Sequence, residues 1–482
     1  MAVRFVIIGG GPAGNTAATY AARIGAEVTI VERDIVGGAA HLWDCIPSKA
    51  MIATGGAMAF TRRSTGMGLD PQDPEVDFDA LRARNGAIAG RLERSVRDLL
   101  DSQGVRMLQG TARLKGPHEV VVETSEGITE LTADAVLLST GSRPRIPDWA
   151  EPDGRRVLTT RDAYPPPELP SHLVVVGSGV TGVEFVHMFS AFGSQVTLIV
   201  SRQQVLPSKD PEVAAALEED FLHRWVSLLK GARAVGIDRS DGARAAGSGQ
   251  DGARAAGSGQ DGARAAGSGQ DGVVVRCDDG RHAAGSHALL CIGSVPSSDG
   301  LGLDAAGVET DGGGYIPINQ HCQSNVAHIY AAGDLSGKLP LSSVASMQGR
   351  KVAEHVMGFH TRAHRHLDYE KAASAIFTEP EIADVGLAEV DAFAEGRKIR
   401  VTKVPFSASA KALINDDPRG FVKIISDPAT GVVLGGSIVG RHAAELVSVI
   451  ALAVTAGLKV NDIVESLLVH PSLSEALAEA AE

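Results

Sequence analysis

The stretch Arg4-Phe5-Val6-Ile7-Ile8-Gly9-Gly10-Gly11-Pro12-Ala13-Gly14 decides the fold, together with the alanine-rich segment after it and Glu27-Val28-Thr29-Ile30-Val31-Glu32. The apolar run reads as a buried strand and the glycines as a tight turn. The alanine-rich segment reads as a helix returning the chain to a second, parallel strand. Gly9, Gly11 and Gly14 match G-x-G-x-x-G. That spacing lets backbone approach a pyrophosphate at a helix N-terminus, where free N–H groups and the helix dipole favour an anion. Glu32, closing the second strand, suits a ribose diol. An ordinary strand–helix turn is the bland alternative, and the complete unit weighs against it.

A second copy follows. Residues 173–176 are apolar, Gly177-Ser178-Gly179-Val180-Thr181-Gly182 is the turn, a helix extends to Phe192, and the strand 195–200 closes the unit. Gly177, Gly179 and Gly182 repeat the spacing. One such motif is weak evidence, but two in full context predict an α/β chain with two Rossmann-like nucleotide-binding domains. The run 288–292 with Gly293-Ser294-Val295-Pro296 closes the second unit. Ile329-Tyr330-Ala331-Ala332-Gly333-Asp334 then returns the chain to a nucleotide site. From about Ala363 no glycine fingerprint occurs. Strands at 421–426 and 432–439 and an apolar helix at 443–456 predict a separate α+β domain.

The net charge of −13 over 482 residues argues for solubility and against a nucleic-acid partner. The four cysteines, Cys45, Cys277, Cys291 and Cys322, include no C-x-x-C pair and no metal-ligand spacing, so no metal is expected. So few thiols suggests a reducing compartment. The first residues run straight into a buried strand with no cationic leader, and the apolar run 446–458 is too short to span a bilayer. A cytoplasmic protein without membrane insertion is the expectation.

Between 241 and 270 the decapeptide Asp-Gly-Ala-Arg-Ala-Ala-Gly-Ser-Gly-Gln occurs three times in tandem. It has no hydrophobic period and cannot bury a core, so it reads as a disordered insert. Its arginines leave open a weak docking tether. The flanks, 233–237 and 272–277, read as two strands of a hairpin or meander.

Six motifs stand in order: the two fingerprints, Cys45-Ile46-Pro47-Ser48-Lys49, Ser139-Thr140-Gly141-Ser142-x-Pro144, Ala332-Gly333-Asp334, and His470-Pro471-Ser472-Leu473-Ser474-Glu475. With them the chain resembles the pyridine nucleotide–disulfide oxidoreductases, typified by dihydrolipoamide dehydrogenase and glutathione reductase, over nearly its whole length outside the repeats. Within that family it looks most like the actinobacterial NAD(P)H quinone reductases that lack one redox cysteine. The resemblance implies an FAD domain (1–149), an NAD(P) domain (150–287) and a return segment completing the FAD site (288–360). It also implies a C-terminal dimerisation domain (361–482), hence a homodimer using FAD with NADPH or NADH.

Members of that family carry two cysteines five positions apart, and this chain has Ala40 where the partner of Cys45 belongs. A disulfide needs two sulfurs at bonding distance. The resemblance therefore implies a flavin reductase without a dithiol relay. Residues 41–44 also depart from the family's spacer. Cys45 lies just before Pro47, a residue suited to a helix start, where the dipole favours a thiolate. A thiolate near the flavin and an inert buried thiol both stay open.

By the same resemblance Lys49 and Glu184 pair beside the flavin, a surface ion pair being the alternative. Asp334 holds the ribityl chain, or is only a turn or N-cap aspartate. Thr140, Gly141, Gly293 and Gly333 belong to the cofactor sites. His470 and Glu475 match an acid–base pair that serves the other subunit. Ser472-x-x-Glu475 also reads as a capping box, so helix capping at a dimer interface competes with that role.

Counting from Gly193 as Glu32 lies from Gly25, the counterpart of Glu32 in the second unit is Val200, followed by Ser201 and Arg202. A hydroxyl and a guanidinium suit the extra phosphate of NADPH, the alternative being a solvent-facing arginine. The expected function is an FAD-dependent NAD(P)H dehydrogenase passing electrons to a quinone or similar small oxidant. A soluble transhydrogenase and a low-turnover redox sensor or interaction protein are the alternatives.

Overall fold

The structure is a computed structural model and describes residues 2–240, 272–359 and 366–482. The repeat segment 241–270 lies outside the described residues.

The first parallel sheet runs Ile329–Ala331, Ala135–Leu138, Arg4–Ile8, Glu27–Glu32, Arg106–Gln109. Arg4–Ile8, whose last four residues are buried, pairs in parallel with Glu27–Glu32 on one side and Ala135–Leu138 on the other. Such two-sided burial explains the unbroken apolar run in the sequence. The helix Pro12–Arg23 covers one face through Ala13, Ala17, Ala18 and Ala21, small enough for the helix Ser342–Val356 to pack closely. A Cβ on Gly349 would strike the carbonyl of Ala13.

The second sheet repeats the plan in the order Ser227–Lys230, Gln195–Val200, His172–Val176, His287–Leu290, Val157–Thr159. Its helix, Val180–Phe192, buries ten of its thirteen residues against the strands. Ala234–Ser240 pairs antiparallel with Gly272–Cys277, and that strand with His282–Gly285, so the flanks of the repeats do form a meander. His287–Leu290 belongs wholly to the second sheet. A division at 287/288 therefore cuts this strand, and the chain turns back towards the first sheet only after Leu290. Ser142–Pro144 and Ser294–Pro296 pair antiparallel as outward and return crossings.

The C-terminal part is a five-stranded antiparallel sheet in the order Ser374–Ile376, Ile382–Gly386, Val433–Val439, Phe421–Ser426, Arg400–Pro405. The helices Ala443–Ala456 and Glu475–Ala481 join its core through Val447, Ile450, Ala476 and Leu477. Among the described residues no helix is long and apolar enough to cross a membrane.

Candidate active site

Each sheet ends in a glycine cradle at its switch point. In the first, Gly9 has φ +105°, and a Cβ there would collide with the Ser139 carbonyl. A Cβ on Gly14 would collide with the Gly9 carbonyl, while one on Gly11 would meet open space. Gly9 and Gly14 thus set the turn and the helix–strand approach, and Gly11 leaves room for a ligand. The helix begins after Gly11 with no side-chain cap and no acid in its first turn, so its amides face outward unsatisfied by side chains. Glu32 accepts from the N–H groups of Gly10 (2.6 Å) and Asp34 (2.8 Å), which aims its carboxylate beside the turn.

The second cradle matches it residue for residue. Cβ atoms on Gly177 and Gly182 would strike the carbonyls of Cys291 and Gly177, Gly179 is open, and the helix after Gly179 is again uncapped. The Gly9 N–H donates to the Val31 carbonyl at 2.9 Å, and the Gly177 N–H to the Ile199 carbonyl at 3.2 Å. Val200 therefore stands where Glu32 stands, and it is fully buried. Ser201 and Arg202 follow it on the exposed rim.

Residues 40–44 form one π-helical turn, and Cys45 is the residue preceding the helix Ile46–Arg63. All four cysteines are free; Cys45 is half-buried and the other three are buried. Burial holds the Cys291 and Cys322 thiols well above the ordinary cysteine range, leaving them neutral and inert. One turn beyond Cys45, Lys49 Nζ donates to both carboxylate oxygens of Glu184 at 3.1 and 2.9 Å. Glu184 is 4% exposed and also accepts from the Phe377 N–H at 3.1 Å. The surface-pair alternative therefore fails at its acidic end.

Asp334 accepts from Ser142 Oγ at 2.7 Å, and the neighbouring Gly333 N–H donates to the buried Gln348 at 2.7 Å. Thr140 Oγ1 donates to the Ser297 carbonyl at 2.8 Å, tying the two crossings together. Cβ atoms on Gly141 and Gly293 would meet nothing.

The model of the pyridine nucleotide-disulphide oxidoreductase family matches residues 3–349, and that of its dimerisation domain matches residues 372–481. The chain belongs to this family. It is 39% identical to an NAD(P)H dehydrogenase (quinone) of Mycobacterium tuberculosis, covering 100% of this chain and 94% of that protein. It is 31% identical to a dihydrolipoyl dehydrogenase of Zymomonas mobilis, with 98% and 96% covered. The crystal structure of LpdA from Mycobacterium tuberculosis superposes with a TM-score of 0.89 at 38% identity, covering 99% of both chains. The flavoprotein disulfide reductase RclA of Escherichia coli shares the fold, with a TM-score of 0.82 at 22% identity over 99% of both chains.

The cofactors of the pyridine nucleotide-disulphide oxidoreductases are FAD and NAD(P)H. Both cradles fit a dinucleotide: each offers an open central glycine and an uncapped helix N-terminus.

At the far end of the chain, His470 Nδ1 lies 2.7 Å from Glu475, and the Ser472 N–H donates to the same carboxylate at 2.8 Å. Here the capping box needs correction. Glu475 opens the last helix, Ser474 precedes it without a side-chain cap, and Ser472 Oγ bonds Ser474 instead. Glu475 thus bonds the Ser472 backbone without the reciprocal hydroxyl bond, because the chain reaches the helix two residues later than the motif assumes. Among the described residues, no group of three or more His, Cys, Asp or Glu could hold a metal ion.

Three side chains beside the site carry no sequence motif. Phe377 places its ring under the Lys49 ammonium, 5.0 Å from centroid to Nζ. Tyr164 stacks on Phe185 at 4.8 Å. Burial first, and nearby Cys291, Glu184, Asp44 and Cys45 after it, push the Tyr164 phenol well above its usual range. Arg161 covers the indole of Trp43, within the turn that replaces the family's spacer, at 4.6 Å.

Proposed function

We propose that the chain is an FAD-dependent NAD(P)H:quinone oxidoreductase that works as a soluble cytoplasmic homodimer without a dithiol relay. The observation that carries this reading is the free Cys45, with Ala40 in the position of its partner. A thiol with no second sulfur cannot cycle through a disulfide. FAD, when bound, would supply the redox chemistry that links a nicotinamide hydride donor to a small oxidant. A flat quinone suits such direct delivery, and the quinone-named relative in Mycobacterium tuberculosis supports it.

The chain's own residues bind and orient. The amides after Gly11 and Gly179 hold the two pyrophosphates, with Gly9, Gly14, Gly177 and Gly182 shaping the turns. Glu32 takes a ribose diol and Asp334 the sugar-like chain of the first cofactor. Gly141, Gly293, Gly333 and Thr140 frame the space between the domains. Lys49, fixed by Glu184, presents a positive charge where negative charge develops on reduction. His470, oriented by Glu475 through Nδ1, leaves Nε2 to deliver a proton to the reduced oxygen across a homodimer.

Rapid mixing with NADPH, then with quinone, tests this. Flavin bleaching followed by fast recolouring on quinone addition is expected. Nucleotide exchange without quinone reduction would favour a transhydrogenase, and sluggish bleaching a sensor; either would overturn the proposal.

A further inference from the structure

Behind the Lys49–Glu184 pair lies a cavity of about 200 Å³, lined among others by Ile52, Gly56, Phe60, His187, Phe377 and Glu379. Two of these carry a buried polar atom with no partner in the protein. His187 is 1% exposed, and an Arg224 guanidinium nitrogen lies 2.9 Å from its Nδ1. A guanidinium only donates, so Nδ1 accepts. Burial first, then Arg224, Arg419 and Arg63, hold this imidazole well below its ordinary range, so it is neutral. A neutral ring that accepts at Nδ1 carries its proton on Nε2, and Nε2 is the unpartnered atom. Glu379 is the complement. Its Oε1 takes Arg63 and Arg419, while Oε2 is buried with no donor.

We propose that this cavity binds a phenolic ring. One phenolic hydroxyl accepts from an N–H and donates to a carboxylate, the two kinds of bond that His187 Nε2 and Glu379 Oε2 lack. The ring lies against Phe60, Phe377 and Ile52, above Gly56, where a Cβ would meet open space. The volume is below the ~300 Å³ at which drug-sized sites begin, which suits one ring or two fused ones.

Occupancy reaches the active site by two short routes. His187 sits one turn beyond Glu184 on the same helix. Phe377 bonds Glu184 through its N–H and carries the Lys49 ammonium on its ring. Quinols are phenols, so the product of the proposed reaction is the natural occupant; that identity rests on the functional reading, whereas the site itself does not.

The test is calorimetric titration of the full-length, FAD-loaded protein with phenol and with anisole, in the absence of nucleotide and oxidant. Saturable 1:1 binding of phenol is expected, with anisole weaker by at least about tenfold because it has no proton for Glu379. Gly56→Leu, which fills the cavity and leaves the polar groups alone, abolishes binding while FAD content persists. His187→Phe weakens phenol to the level of anisole. No phenol binding up to about 10 mM would mean a water-filled cavity and overturn the proposal. So would equal affinities for phenol and anisole, or undiminished binding in Gly56→Leu. Phenol binding by a protein that fails to reduce quinone would leave this site standing and remove the proposed function.

Discussion

Lys49 Nζ donates to both carboxylate oxygens of Glu184, 135 positions away in sequence, at 3.1 and 2.9 Å. The pair joins the helix that follows Cys45 to the helix of the second glycine cradle. The Phe377 N–H adds a third segment to the same carboxylate. Charge, orientation and domain contact therefore meet at a single buried residue.

Lys49→Met leaves Glu184 buried with one backbone donor. The expected loss is about 3 kcal/mol, the low end for breaking a buried pair because Lys49 keeps some solvent contact. Glu184→Gln retains hydrogen bonding and costs less, about 1–3 kcal/mol. Urea unfolding monitors both. Each variant is also expected to slow flavin reduction by at least about tenfold, or about 1.4 kcal/mol of barrier. Lost stability with an unchanged rate would make the pair purely structural.

Cys45→Ser tests the missing relay from the other side. Quinone reduction stays within about tenfold of the parent, since no disulfide cycle is removed. Neither protein turns over lipoamide or glutathione disulfide at a measurable rate. Robust disulfide reduction by the parent, or a far larger loss in Cys45→Ser, would bring the thiol into the reaction.

The two sheets were legible because buried parallel strands leave unbroken apolar runs and the cradles require glycines at fixed spacing. The C-terminal strand Phe421–Ser426 is antiparallel but buried at every position, so it too left a largely apolar run, although its Lys423 is buried among carboxylates rather than facing solvent. Partners distant in sequence were harder to read. The pairing of Lys49 with Glu184 was legible only through family likeness, and nothing in the sequence around Phe377, Tyr164 or Gln348 signals their positions, since each is placed by tertiary packing. The capping box failed because a local pattern does not fix where the preceding loop lets the helix begin.

Lys423 is 1% exposed and bonds Asp210 at 3.0 Å, Glu212 at 2.5 Å and Glu389 at 2.9 Å, clamping the helix Pro211–His223 to the C-terminal sheet. Lys423→Met leaves buried Asp210 without its ammonium, while half-exposed Glu212 keeps Lys403, and is expected to cost about 3 kcal/mol in urea unfolding. The clamp also carries an acid dependence. Hydrogen bonds from Lys403 and Lys423 lower the Glu212 pKa in the folded protein. Its stabilisation is complete above the unfolded value of about 4.3 and is lost as pH falls through the lower folded value. Unfolding followed across that acid range should be steeper in the parent than in Lys423→Met. Parallel profiles would remove Glu212 from the account.

The electron donor provides the last test. Glu32 ends its strand with a carboxylate bonded to two backbone amides, whereas buried Val200 ends the equivalent strand with none to offer. Ser201 and Arg202 stand next on the exposed rim. A carboxylate there would grip an unphosphorylated ribose and repel a 2′-phosphate, while a hydroxyl and a guanidinium attract it. NADPH is therefore expected to be at least as good a donor as NADH, with both accepted because the cradle contacts are common to them. A charge-assisted contact is worth roughly 1.5–3 kcal/mol, so Arg202→Ala raises KM for NADPH about ten- to a hundredfold. Steady-state kinetics with NADH barely change. Equal effects on the two nucleotides would put Arg202 away from the phosphate, and strict NADH dependence of the parent would overturn the assignment of this rim.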